Sequence, residues 1–235
     1  MPGSSPHAGS ATFWSLLRPS GFIEKLRGAL PHPQPLSNNH ISPLDKALGF
    51  IQGLLCGAEK LTQVAYLRRD PVVPEIVGIK RIASQSVLSR FFAGFDSEGK
   101  NQQCFGALWK RCIARLKPRA GGCSLDFDST RLLHEDGQQE GVATDCTRMG
   151  IKSCLHPLLA VLEEAKLVAG FWLHPGNTAC ANNAAGFTLE VLARLPAWHK
   201  VRVIRADSGF CDNHWLELLE AMAIPYIVGC AVDWM

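Results

Sequence analysis

Two short acidic stretches constrain the fold more than any other feature of the chain. They are Leu125-Asp126-Phe127-Asp128-Ser129-Thr130 and Ile204-Arg205-Ala206-Asp207-Ser208-Gly209-Phe210. In the first, alternation puts Leu125 and Phe127 on one face of a strand and Asp126 and Asp128 on the other. In the second, the β-branched run Val201-Arg202-Val203-Ile204 leads to Asp207, and Gly209 permits a tight turn just beyond it. Both read as strand ends that deliver a carboxylate to one place. Neighbouring carboxylates repel unless positive charge sits between them. A divalent metal is the usual solution, and Asp with Mg²⁺ is a hard–hard match. Either stretch alone reads more simply as an Asp capping a turn or a helix; their occurring together points to a shared site.

The formal charge of +3 on 235 residues permits nucleic-acid binding without arguing for it, because no dense Lys/Arg block occurs. Basic residues gather at Tyr66-Leu67-Arg68-Arg69, Lys80-Arg81 and Trp109-Lys110-Arg111, where a solvated face is the simpler reading. The nine Cys are odd in number and include no Cys-x-x-Cys pair. Cys154-Leu155-His156 and His174 with Cys180 come nearest to a ligand cluster, but structural zinc needs tighter pairs. Free Cys of this kind behaves as a small buried hydrophobe in a reducing compartment. The N-terminus lacks a signal-peptide pattern, and the apolar run at 47–58 is too short to span a bilayer. The chain reads as soluble and cytoplasmic, with no membrane partner.

Three regions follow from patterning. Residues 1–40 hold Pro31-His32-Pro33-Gln34-Pro35, which opposes helix, and read as a loosely ordered arm with short amphipathic pieces at 13–17 and 22–30. Residues 41–120 read as a helical, DNA-binding domain. Ser42-Pro43-Leu44-Asp45 starts one helix, and apolar residues then recur at helical spacing through Leu55. Asp70-Pro71 breaks the pattern. The small, polar first turn of Ser84-Gln85-Ser86-Val87-Leu88-Ser89-Arg90 resembles the start of a recognition helix, with Arg90 in reach of a phosphate. An ordinary capped helix packing Val87, Leu88 and Phe91 inward is the competing reading. A further helix with a basic face is predicted over 99–119. Residues 121–235 change period. Strands are predicted at 123–128, 155–161, 166–173, 201–204 and 226–228, with a hairpin or a bulged return strand over 131–144 through Glu135-Asp136-Gly137, a turn at His174-Pro175-Gly176-Asn177 and helices near 187–195 and 213–222. This order, with one Asp on the first strand and another after the fourth, predicts an α/β fold with a partial ribonuclease H-like mixed sheet.

The residues then resemble a family, the DDE transposases of bacterial insertion sequences, and within it the thirteen-eighty family. The likeness is carried by the 125–130 stretch, by Gly137-Gln138-Gln139-Glu140-Gly141, by His156-Pro157-Leu158-Leu159-Ala160 with Pro175-Gly176-Asn177-Thr178, and by Arg205-Ala206-Asp207-Ser208-Gly209-Phe210 continuing to Leu219-Glu220 and Pro225-Tyr226-Ile227. Leu67-Arg68-Arg69-Asp70-Pro71 and Ile82-Ala83-Ser84-Gln85-Ser86 extend it, so that it covers about residues 40–235. The resemblance implies a nuclease and strand transferase that acts on double-stranded DNA at the ends of its own element, using two Mg²⁺ (or Mn²⁺) ions held by two Asp and one Glu. It implies that Asp128 and Asp207 are catalytic metal ligands, with Asp126 in reserve. Lys152 and Arg148 are within the range of DNA phosphate contacts, or simply on the surface.

The chain departs from that family in three places. The third acid, a Glu well beyond the second Asp, has no match; Glu217 and Glu220 come too early in the order. Thr144-Asp145-Cys146-Thr147-Arg148-Met149 has drifted from the family's basic, Tyr- and Asn-containing stretch, and Cys154 and Leu155 stand where an aromatic is usual. The likeness is thus to the N-terminal half of such a transposase, which implies weakened catalysis. The alternative is a non-catalytic fragment that binds DNA or forms homo-oligomers.

Overall fold

Helix signals dominate the first half of the chain, and the structure, a computed structural model, places eight α-helices there among the described residues. It describes residues 5–34, 36–37, 39–117, 120–134, 139–147 and 149–230. The turn expected at Glu135-Asp136-Gly137, Gln138, Arg148, Pro118 and Asp233-Trp234-Met235 lie outside these. The chain divides into two compact units, Met1–Leu108 and Trp109–Met235. Among the described residues no helix is long and apolar enough to cross a membrane.

The first unit holds α1 (Ser10–Leu17), α2 (Phe22–Ala29), α3 (Pro43–Leu55), α4 (Leu61–Tyr66), α5 (Val72–Val77), α6 (Gln85–Ala93) and α7 (Glu98–Asn101); α8 (Ala107–Ala114) runs across the division. Ser42 caps α3 by accepting the Asp45 N–H, with Pro43 in the first turn. The 41–55 expectation therefore meets the helix it describes. Within residues 5–34 the two amphipathic pieces of the N-terminal region are α1 and α2. Trp14 of α1 is fully buried, and its indole N–H donates to Gln52 Oε1 at 2.7 Å. Gln52 Nε2 in turn donates to Ser10 Oγ, so the amide is satisfied inside the core. His32, within the proline run, stacks on Phe91 at 4.5 Å and bonds its carbonyl oxygen through Nε2. Prolines that forbid helix there do not prevent the segment from being pinned by side chains. The helix expected over 99–119 is interrupted by a π-type stretch at Gln102–Gly106 and ends at Ala114.

The second unit is built on a seven-stranded mixed sheet. Its strands are β1 (Cys123–Ser129), β2 (Leu132–Leu133), β3 (Ala143–Thr147), β4 (Gly150–Leu162), β5 (Leu167–Pro175), β6 (Val201–Ala206) and β7 (Tyr226–Val228), with α9 (Ala184–Arg194) and α10 (Asn213–Ala221) between them. The order is β2-β4-β1-β6-β7, with β3 and β5 also paired to β4. β1 runs antiparallel to β4 and parallel to β6, and β6 runs parallel to β7. The β1–β6 register shifts between Cys123, opposite Val201, and Ser124, opposite Val203.

Alternation in β1 works as the sequence predicts. Leu125 and Phe127 are buried, Asp126 is half-buried and Asp128 is exposed. Leu125, Phe127, Leu158, Leu162 and Ile204 join Phe187 and Val191 of α9 and Trp215 and Leu219 of α10 in one core. Phe127 stacks on Trp215 at 5.7 Å and meets Phe187 edge-on at 5.4 Å. The buried indole N–H of Trp215 donates to Thr188 Oγ1 at 2.8 Å. This packing holds the ends of β1 and β6 in place.

Candidate active site

Register decides where the two acidic stretches meet. Phe127 pairs with Ala206 across the parallel β1–β6 ladder. The next residue on each chain is an Asp, so Asp128 and Asp207 lie side by side at the same end of adjacent strands. Each carboxylate is held by a local backbone donor. Asp128 Oδ1 accepts the Ser129 N–H at 2.8 Å, and Asp207 Oδ1 accepts the Gly209 N–H at 3.0 Å. Both residues are exposed.

Asp126 shares the outward face of β1 but has a different neighbour. Arg205, its register partner on β6, grips it with Nε at 2.6 Å and Nη2 at 2.7 Å. A bidentate guanidinium pair of this kind occupies both carboxylate oxygens. The Asp126 carboxylate also holds the Arg205 guanidinium above its usual pKa range. Of the three Asp residues singled out from the sequence, two stand together and the third is engaged with arginine.

Beneath the pair lies a polar cluster. His156, on β4, is 1% exposed. Its Nδ1 donates to the Thr178 carbonyl at 2.6 Å, which leaves Nε2 to accept from the Ser129 hydroxyl at 3.1 Å. Ser129 Oγ also lies 2.9 Å from Cys180 Sγ. Cys180 reaches the other strand end as well, since a Cβ on Gly209 would come 3.0 Å from its sulfur and 3.1 Å from Asp207 Oδ1. One thiol therefore packs against the turns that follow both Asp residues. His156 and Cys180 both stood out in the sequence, beside Cys154 and His174, as the nearest approach to a ligand cluster; the contact of Cys180 with Ser129, 51 positions away, did not. His174 faces His156 in the β4–β5 register, and burial, then His156, pushes its pKa below the ordinary value.

Other residues singled out from the sequence lie elsewhere. Lys152 is exposed on β4 opposite Asp145. Gln139 and Glu140 are exposed. Glu217 is exposed on α10, and Glu220 accepts the Tyr226 hydroxyl at 2.9 Å. Oxygen donors from two strand ends suit a hard divalent cation in kind. In number they form two-thirds of a three-carboxylate set. Among the described residues no group of three or more His, Cys, Asp or Glu is placed to hold a metal ion, which applies equally to the His156–Cys180 neighbourhood.

No curated protein matches the chain. Among solved structures, a piggyBac transposase synaptic complex with hairpin DNA, determined by cryo-EM, aligns with 13% identity and a TM-score of 0.39, too low to carry an argument. That alignment covers 92% of this chain and 41% of the other, so this chain spans less than half the length of that protein. The sequence model of one family, described as transposase DDE domain group 1, matches residues 4–233.

Proposed function

The chain belongs to the transposase DDE domain group 1 family, and from that premise we propose that it carries the Asp-based half of a DNA-cutting and strand-joining site. The observation that carries this reading is the β1–β6 register, which sets Asp128 beside Asp207 while Arg205 engages Asp126. In this reading Asp128 and Asp207 are the metal ligands, and Asp126 is not. The local Ser129 and Gly209 N–H donors orient one oxygen of each carboxylate, and the other oxygen of each would serve to hold a cation. Mg²⁺ or Mn²⁺, when bound, supplies activation of the attacking oxygen and stabilisation of the leaving one. Strand order and direction support a ribonuclease H-like sheet, and the residue pattern supports the thirteen-eighty group of insertion-sequence transposases.

The helical unit serves, in the same reading, as the DNA-binding domain. Residues 1–108 carry eleven Lys and Arg against seven Asp and Glu, whereas 109–235 carry thirteen against fourteen. Arg68, Arg69, Lys80, Arg81 and Arg90 are all exposed. Ser84 precedes α6, whose buried Leu88 and Phe91 face inward, leaving Arg90 outward. A second reading, DNA binding without cleavage, is favoured by one observation: the described residues bring no third carboxylate to the pair.

Calorimetric Mn²⁺ titration of the chain, with Asp128→Asn, Asp207→Asn and Asp126→Asn, tests the site. Binding is expected to be lost in the first two variants and kept in the third. Equal binding in all four proteins sinks the ligand assignment. Metal-dependent nicking of duplex DNA separates the two readings; DNA binding with no nicking under Mg²⁺ or Mn²⁺ selects the second.

A further inference from the structure

Two exposed thiols flank the loop that carries Asp207. Cys211 follows the 3-10 turn Ser208–Phe210, and Cys230 lies two residues past β7. Their Sγ atoms are 3.0 Å apart, only about 1 Å more than a covalent sulfur–sulfur bond. Cys146 on β3 is also exposed, but it has no such neighbour among the described residues. The pair is brought together by main-chain bonds that do not depend on sulfur. Gly229 N–H donates to the Ala206 carbonyl at 3.1 Å and extends the β6–β7 ladder by one step. Gly229 also lies against the loop so closely that a Cβ there would sit 3.0 Å from Ser208 N. On the other side, Cys211 N–H donates to the Ser208 carbonyl at 3.2 Å. Cys230 is thus carried to the start of the loop and Cys211 to its end.

We propose that Cys211 and Cys230 form a redox modification site, closing into an intramolecular disulfide by exchange with a low-molecular-weight disulfide such as oxidised glutathione. One cysteine, as thiolate, attacks glutathione disulfide; a protein–glutathione mixed disulfide forms and one glutathione thiolate leaves. The second cysteine attacks the protein sulfur of that mixed disulfide and displaces the second glutathione. Two electrons pass from the protein dithiol to glutathione disulfide, and the two thiol protons end on two molecules of glutathione. The closed ring contains α10 and β7 and ties the loop after Asp207 to the last rung of the β6–β7 ladder. The chemistry needs neither metal nor DNA, so it stands or falls separately from the nuclease reading.

The test equilibrates the full chain with graded ratios of reduced to oxidised glutathione, followed by acid quenching and alkylation. Cleavage after glutamate separates the two thiols, because Glu217 and Glu220 lie between them. The expected product is one pair of peptides joined through Cys211 and Cys230 on monomeric protein, absent in Cys211→Ser and in Cys230→Ser. The glutathione ratio at half-oxidation is expected to favour the bridge at least about tenfold more in the folded chain than in urea, since the fold raises the effective concentration of one thiol at the other. Mixed glutathione disulfides at both sites without a bridge, bridging to Cys146 or to a second chain, or equal midpoints in urea and buffer would each overturn the assignment.

Discussion

His156 is a buried imidazole with both nitrogens engaged. Removing the ring strands the Thr178 carbonyl, leaves the Ser129 hydroxyl to the Cys180 thiol, and opens a void under the strand ends. His156→Ala is expected to cost about 2–4 kcal/mol, combining lost hydrogen bonds and cavity formation, read from urea unfolding; a loss below about 1 kcal/mol would show that the cluster is not structural. The Arg205–Asp126 pair makes the contrast. Its side chains are 44% and 34% exposed, and pairs of that kind contribute at most about 1 kcal/mol. Its importance lies in which Asp it occupies. Here sequence and structure part: alternation in β1 announces that Asp126 and Asp128 share a face, but only the register with β6 reveals that one meets an arginine and the other an aspartate.

Between β5 and α9 the packing is close enough for a single methyl group to probe it. A Cβ on Gly170 would lie 2.5 Å from Val191 Cγ2 and 3.2 Å from Phe187 Cε2. Gly170→Ala is therefore expected to destabilise the second unit by about 1–3 kcal/mol through overpacking, seen as a lower thermal midpoint. At the opposite end of β1 from the Asp pair, Glu164 accepts both the N–H and the hydroxyl of Ser124, and Arg202 bonds the same hydroxyl. Burial works to raise the Glu164 pKa, but the Ser124 hydrogen bonds and Arg202 outweigh it and hold the carboxyl below its ordinary 4.5. A carboxyl depressed in the folded state adds stability above its unfolded value, and that contribution disappears as pH falls through the folded value. The stability difference between the natural chain and Glu164→Gln is thus expected to be greatest near neutrality and to shrink below about pH 4.5, as measured by denaturant midpoints across pH. A difference that grows on acidification would refute it. These elements were legible in different degrees. β1, β4 to β7 and α3 follow from period and capping and α1 is hinted at by its amphipathic piece at 13–17, whereas β3 is not predicted as a strand of its own, and the burial of Trp14 depends on Gln52, 38 positions away, beyond any local window.

For the molecule as a whole, charge is divided unequally. The helical unit holds the basic excess, eleven Lys and Arg against seven Asp and Glu, and the sheet unit is close to balanced, thirteen against fourteen. DNA affinity should then depend steeply on salt, through release of counterions from phosphates. Replacing Arg68, Arg69 and Arg90 together by Ala in the full chain is expected to flatten the log–log slope by about 0.9 for each phosphate contact removed, with the fold preserved by circular dichroism. An unchanged slope would place the DNA contacts elsewhere. The sequence pointed to basic local clusters, yet net charge averaged over the full chain hid the asymmetry.

The irregularity between Cys123 and Ser124 has a consequence for how such a site can vary. Because β6 has one residue more than β1 at that step, Ser124 falls opposite Val203, and the register kept from there to Phe127 opposite Ala206 brings Asp128 level with Asp207 on the next residue. The alignment is thus specified by counting as much as by chemistry. Substitutions along either strand keep the count, and a drifting sequence can accumulate many of them. A single insertion or deletion between residues 124 and 127, or between 203 and 206, would move one carboxylate by about 3.3 Å along its strand and turn it to the other face of the sheet. Length, in these two short segments, is the quantity that descent with a working site has to preserve.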